Sequence, residues 1–330
     1  MMKILVACLL SLILTALFFA SLLVLSERPT VRYSGPWPYQ TNFAALYADS
    51  GPVDIVIGGS SRSRRGIRAE ALARDLGSVY AGREPVIYNL SVAGRGFDAH
   101  VIPLLEFLET REAGVIFLQY DDATKKGIQT HRNLSQIGRL SDILFTPIGS
   151  FPVWEVLTHR AQLLYRRIGR TADFCVVSPS LCSAELPQRS PAVIRSGTRP
   201  RNTIITLLKR RLKRRKNRDG YFVSEPRSWD PDSGANHRNS FYLDMLAEKA
   251  KAKGIQVVVM DFPRFEFPEL AAGFQEEIEA RFGVSYLAFS RDELLDLADS
   301  GYGDQGHFNF IGERMVRRKL VDYLKENVSP

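Results

Sequence analysis

The sequence predicts an α/β fold: a doubly wound parallel sheet sandwiched between helices, a three-layer arrangement, preceded by one apolar N-terminal helix. Three observations predict it. Short runs at residues 53–57, 86–92, 115–118, 256–261 and 284–289 are nearly continuous in apolar residues, as strands buried on both faces of a parallel sheet are. Stretches of helical composition alternate with them, at 98–109, 238–253, 268–282 and 312–325. The chain of 330 residues is also long enough to bury one sizeable core.

Taken in order, the first element is residues 4–25, an uncharged apolar run following Met1-Met2-Lys3. Its length of ~20 residues suits a helix that spans a bilayer, and it is longer than the core of an ordinary signal peptide. No small-residue cleavage site of the Ala-x-Ala kind follows it, so an uncleaved signal anchor over residues 1–26 is expected. Lys3 and the amino terminus put positive charge on the short flank. The expected topology is a single pass through a bacterial cytoplasmic membrane, N-terminus inside and the large domain extracytoplasmic. Residues 27–50, rich in Pro, Tyr and Trp, read as a tether, and 51–330 as the α/β domain.

Within that domain Val53-Asp54-Ile55-Val56-Ile57 is a β-branched run, Gly58-Gly59 permits a sharp bend, and residues 68–76 have helical composition. Ser60 and Ser61 therefore sit at a strand-to-helix turn. The alternation breaks at about 123–236, which reads as an insertion, part lid and part loop. It holds Cys175 and Cys182, which either close a small disulfide loop or remain two unrelated thiols. It also holds the block 209–218, whose eight basic and no acidic residues equal the chain's formal excess of +8. Such a block suits anionic lipid or an acidic polymer, or is a solvated charge run. Nucleic acid is disfavoured by the anchor and by the lack of interleaved aromatic residues.

The chemistry-bearing segments are Gly58-Gly59-Ser60-Ser61-Arg62 and, more than two hundred residues later, Asp304-Gln305-Gly306-His307. A serine hydroxyl is a poor nucleophile until a base takes its proton. An imidazole does so best when a carboxylate fixes its tautomer, and Asp304 and His307 are spaced to supply that pair. Each segment also has a structural reading: Ser60 or Ser61 as a helix N-cap, and Asp304 as the cap of the last helix with His307 on its first turn. His100, His131, His159 and His237 show no metal-ligand spacing, so no metal or other cofactor is expected.

These segments, in this order, resemble the SGNH or GDSL hydrolases over roughly residues 53–326. The resemblance implies a flavodoxin-like sandwich in which Ser61 is the nucleophile, His307 the base and Asp304 its orienting acid. Tyr88-Asn89-Leu90-Ser91-Val92-Ala93-Gly94 is similar to the family's second block, which implies that Gly94 and Ser61 give backbone N–H groups to an oxyanion hole. Where the family usually has Gly-x-Asn-Asp, this chain has Gln119-Tyr120-Asp121-Asp122. Either Gln119 substitutes for the missing amide donor, or turnover falls by the 100- to 1000-fold typical of losing one such donor. Arg62, Arg64, Arg65 and Arg264 either line the cleft and favour an anionic group or simply cover the surface.

The anchor and serine turn also resemble proteins that transfer acyl groups onto envelope polymers such as teichoic acids or alginate-like exopolysaccharides. The expected function is thus a membrane-anchored serine esterase or O-acyltransferase whose partners are an acyl donor and a cell-envelope glycan. The alternative is a catalytically inactive SGNH-like module that binds glycan or scaffolds a polysaccharide export complex.

Overall fold

The computed structural model describes residues 2–26, 51–91, 97–120, 158, 161, 222–227, 234–262, 267–270, 272–303 and 307–327. The chain divides into two compact units, Met1–Ala48 with His131–Gln188, and Asp49–Thr130 with Arg189–Pro330. In the first, helix α1 runs from Met2–Ser26 without a break. Judged over the described side chains, no helix is long and apolar enough to cross a membrane; those of α1 are described only in part. The expected tether, most of the insertion, Cys175, Cys182 and the basic block lie outside the described residues.

The second unit is built on a five-stranded sheet. Its strands are β1 (Val53–Gly58), β2 (Ile87–Asn89), β3 (Ala113–Tyr120), β5 (Gln256–Asp261) and β7 (Ser285–Leu287), ordered β2-β1-β3-β5-β7 with every pairing parallel. Counting sheet strands alone, this is the doubly wound order 2-1-3-4-5, in which the chain reverses direction across the sheet between β1 and β3. Each of the five apolar runs read from the sequence overlaps one of these strands.

The period-2 alternation of strand side chains divides the core. Ile55, Ile57, Val115, Phe117, Val258 and Met260 face one cluster, together with Ile67, Leu72, Leu76, Phe308, Val316 and Leu320. Those last residues belong to or flank helices α2 (Ser61–Gly66), α3 (Ala69–Asp75) and α8 (Phe310–Asn327). On the opposite face Gly58 is covered by Leu104 of α4 (Phe97–Thr110). Helix α5 (Gly234–Lys251) packs beside α4 and against β5. The layers are therefore helix, sheet, helix.

Three elements differ from expectation. A strand β4 (Phe222–Arg227) lies inside the expected insertion and pairs in parallel with β6 (Phe267–Leu270) as a separate two-stranded sheet. Residues 268–282, expected to be one helix, are therefore split. Helix α6 (Phe274–Phe282) begins only after Gly273, whose φ of 83° is left-handed and ends any earlier helical path. Between β7 and α8 a short helix α7 (Arg291–Asp296) starts at Ser290, which forms a reciprocal capping box with Glu293, and runs into a π-turn at Leu297–Gly301.

Candidate active site

The serine turn follows from β1 directly. Gly58 pairs with Leu118 in the sheet register, so Gly59 and Ser60 leave the sheet beside Gln119. Gly59 has φ 152°, a conformation for glycine, and a Cβ there would stand 2.6 Å from Gln119 Cβ. Ser60 is the N-cap of α2, its Oγ accepting from the Arg62 N–H at 3.1 Å. The capping alternative thus describes Ser60 and leaves Ser61, the first helical residue, with its hydroxyl uncommitted to the cap.

Ser61 is half-buried, and its Oγ lies 2.9 Å from His307 Nε2. The two groups are 246 residues apart in sequence, so only the tertiary fold brings them together.

Several contacts hold the imidazole there. Tyr302 and Phe308 form an antiparallel bridge, and the Gly303 N–H donates to the His307 carbonyl at 2.9 Å. This closes a short loop with His307 at its base. Asn309 locks the loop to the helix. Its Nδ2 donates to the carbonyls of Ser300 (2.6 Å) and Tyr302 (3.2 Å), while its Oδ1 accepts from the N–H groups of Ile311 (2.8 Å) and Gly312 (3.1 Å). The last helix therefore begins at Phe310 with Asn309 as its cap, and His307 precedes that helix rather than lying on its first turn. Phe308 packs against Phe262 and Tyr302, and Gly66 of α2 admits it, since a Cβ at Gly66 would meet Phe308 Cδ2 at 2.7 Å. The aromatic contact docks the histidine loop onto the serine helix.

Beneath this pair lies a polar cluster. Arg62 is 7% exposed, and its Nη1 donates to the Phe262 carbonyl at 2.7 Å. The guanidinium ties the serine helix to the end of β5, and its burial excludes the surface-covering alternative. Burial pushes the Tyr302 phenol well above its ordinary value; Arg62 opposes the shift and Asp261 adds to it. Asn89 braces the other end of α2, its Nδ2 donating to the carbonyls of Ser63 (3.2 Å) and Ile67 (3.1 Å).

Gln119 is fully buried, and its Oε1 accepts from the backbone N–H groups of Ser60 and Ser63 and from both their hydroxyls. It meets the serine turn as an acceptor, opposite to the donor role that an oxyanion site requires. Its Nε2 is buried without a hydrogen-bond partner among the described residues.

Asp304, Gly94 and Arg264 lie outside the described residues. The structure thus places Ser61, His307, Arg62 and Gln119 of the expected site in one locality at the carboxyl ends of β1 and β3, where open α/β sheets bind their ligands. Sequence reasoning missed Asn309 and Asn89. The first carries a signal, an Asn just before the first apolar-periodic residue of a helix; the second carries none. Among the described residues no group of His, Cys, Asp or Glu side chains could hold a metal ion. No family model matches the chain, and no curated protein matches it.

Proposed function

We propose that this chain is an SGNH-type serine esterase or O-acyltransferase, anchored in a membrane and acting outside the cytoplasm on acyl groups of a cell-envelope glycan. The observation that carries the reading is the 2.9 Å contact between Ser61 Oγ and His307 Nε2 at the switch point of a doubly wound sheet. In the first step Ser61 Oγ attacks the ester carbonyl as its proton passes to Nε2. The backbone N–H groups of Ser61 and Gly94 hold the developing oxyanion, and Asp304 orients the ring. Collapse expels the donor's alcohol, which takes the proton from the imidazolium, and leaves an acyl-serine. A sugar hydroxyl or water then gives its proton to His307 and attacks that ester, releasing the acyl product and restoring Ser61.

The anchor is supported by the length and character of α1. Its 25 residues reach about 37 Å at about 1.5 Å per residue, more than the ~30 Å hydrocarbon core of a bilayer. Lys3 is its single charge, and Leu9, Leu12, Leu14, Leu17 and Phe18 are all more than half exposed. The test uses the full-length chain in detergent with a chromogenic acetyl ester, with and without an oligosaccharide acceptor. A burst of released alcohol from wild type and none from Ser61→Ala is expected. Acylated oligosaccharide marks transfer, and its absence marks hydrolysis. Equal, negligible bursts from both proteins reject covalent catalysis on that donor.

One observation favours a second reading, an inactive glycan-binding scaffold: Gln119 turns its oxygen, not its amide nitrogen, towards the serine turn. Glycan binding that survives Ser61→Ala, with unchanged envelope acylation in the mutant strain, would establish the scaffold.

A further inference from the structure

Gln119 collects an unusual set of donors. Oε1 lies 3.1 Å from Ser60 N, 2.9 Å from Ser60 Oγ, 3.3 Å from Ser63 N and 2.5 Å from Ser63 Oγ. Backbone N–H groups only donate, so the side-chain atom facing them is the oxygen, and the orientation of the amide is settled by chemistry. Ser60 Oγ already accepts from Arg62 N, which leaves its hydrogen free for Oε1. The four donors belong to the residue before Ser61 and the residue two after it. One buried acceptor therefore pins both sides of the turn that presents the Ser61 hydroxyl, without touching that hydroxyl.

The surroundings are shaped to this contact. Gly59 has no Cβ where one would strike Gln119, and the sheet register fixes Gln119 one residue beyond the Gly58–Leu118 pair. A leucine would fill the same space and would leave no amide nitrogen unpaired. What glutamine adds is the acceptor, at the cost of a buried Nε2 with no partner among the described residues.

We propose that Gln119 is the positioning residue of the serine turn: through Oε1 it fixes Ser60 and Ser63, and thereby sets the Ser61 Oγ against His307 Nε2. The proposal rests on the reading of Ser61 as the nucleophile. Loss of the acceptor lets the turn relax, and a displacement of about 1 Å at a reacting atom costs on the order of 100-fold in rate.

The test measures the rate at which a fluorophosphonate probe labels Ser61 of the full-length chain in detergent, located by peptide mass spectrometry, beside the thermal midpoint of each variant. Gln119→Leu is expected to label about 10- to 100-fold more slowly than wild type. Gln119→Glu keeps an oxygen acceptor but buries a charge. It is expected to melt below Gln119→Leu and yet label faster, so reactivity and stability move in opposite directions, which a purely structural role cannot produce. Ser63→Ala, which removes one hydroxyl donor and little packing surface, is expected to slow labelling by a smaller factor. Wild-type labelling rates in both Gln119→Leu and Ser63→Ala overturn the inference, as does folded Gln119→Glu labelling no faster than Gln119→Leu. If wild type and Ser61→Ala take up the probe alike, the nucleophile reading falls instead; if wild type alone labels at Ser61, that reading stands whatever the Gln119 variants do.

Discussion

Replacing Asn309 by alanine separates the stability of the histidine loop from its placement. Asn309 is buried, and its side chain makes four hydrogen bonds, two as donor to Ser300 and Tyr302 and two as cap of the last helix. Removing the cap costs about 1 kcal/mol. Leaving the carbonyl of buried Tyr302 without this donor costs roughly another 1–2 kcal/mol, whereas Ser300 is exposed and its carbonyl recovers water. The sum is about 2–3 kcal/mol, or about 5 °C in melting temperature for a domain of this size. Asn309→Asp keeps oxygens for the cap but loses both donor bonds and sets a buried carboxylate oxygen against two carbonyls, so it should melt no higher than Asn309→Ala. In both variants the tie between the helix and the loop carrying His307 is cut, and the ester burst should fall at least about 10-fold. Thermal melts followed by circular dichroism, paired with burst kinetics on the same preparations, make the measurement. An Asn309→Ala protein that melts within about 1 °C of wild type, or that keeps its full burst, refutes this account of how the imidazole is held.

Two further outcomes are expected. Gly59→Ala forces a Cβ into a conformation reserved for glycine and against Gln119, so it should lose at least about 2 kcal/mol by denaturant titration and most of its burst. Asp54 gives an acid-range signature. Burial pushes its carboxyl up in pKa, but the hydrogen bonds from Arg83 and the Val86 N–H, with the charge of Arg83, outweigh that and hold it below its ordinary value. The stability it contributes is then present above the unfolded value of about 3.9 and is lost as pH falls through the folded value. Melting temperature measured below pH 5 should therefore decline less steeply in Asp54→Asn than in wild type; parallel curves would show that Asp54 is not linked to folding.

Most of the sheet was legible because buried parallel strands announce themselves as unbroken apolar runs, and each such run overlaps a sheet strand. β4 was not legible. Phe222–Arg227 contains Pro226, which cannot donate to a ladder and reads as loop unless an edge strand is suspected. The strand at Phe267–Leu270 was taken into a helix because Pro268 is as acceptable in a first helical turn as at a sheet edge, and composition alone cannot choose. Helix α7 did carry a readable signal in Ser290 and Glu293, three apart, but no long apolar face followed to support it.

At the site, Ser61 and His307 could be paired from order along the chain, since a strand, a glycine-serine bend and a late histidine define a small set of topologies. Which end of the Gln119 amide would face the bend could not be read, because that depends on two N–H groups supplied by a different segment. The burial of Arg62 could not be read for a related reason: arginine is usually solvent-exposed, and the Phe262 carbonyl it reaches lies 200 residues away.

The distance along the chain between the serine turn and the histidine loop has a consequence for biogenesis. Synthesis proceeds from the amino end, so the hydroxyl at position 61 emerges long before the ring that would activate it. Until α8 docks through Phe308 and Asn309, the Ser61 hydroxyl has no imidazole beside it. On the proposed reading the serine turn therefore stays unactivated until residues 307–312 have been made and docked, and a product cut before His307 would carry the turn without its proposed base.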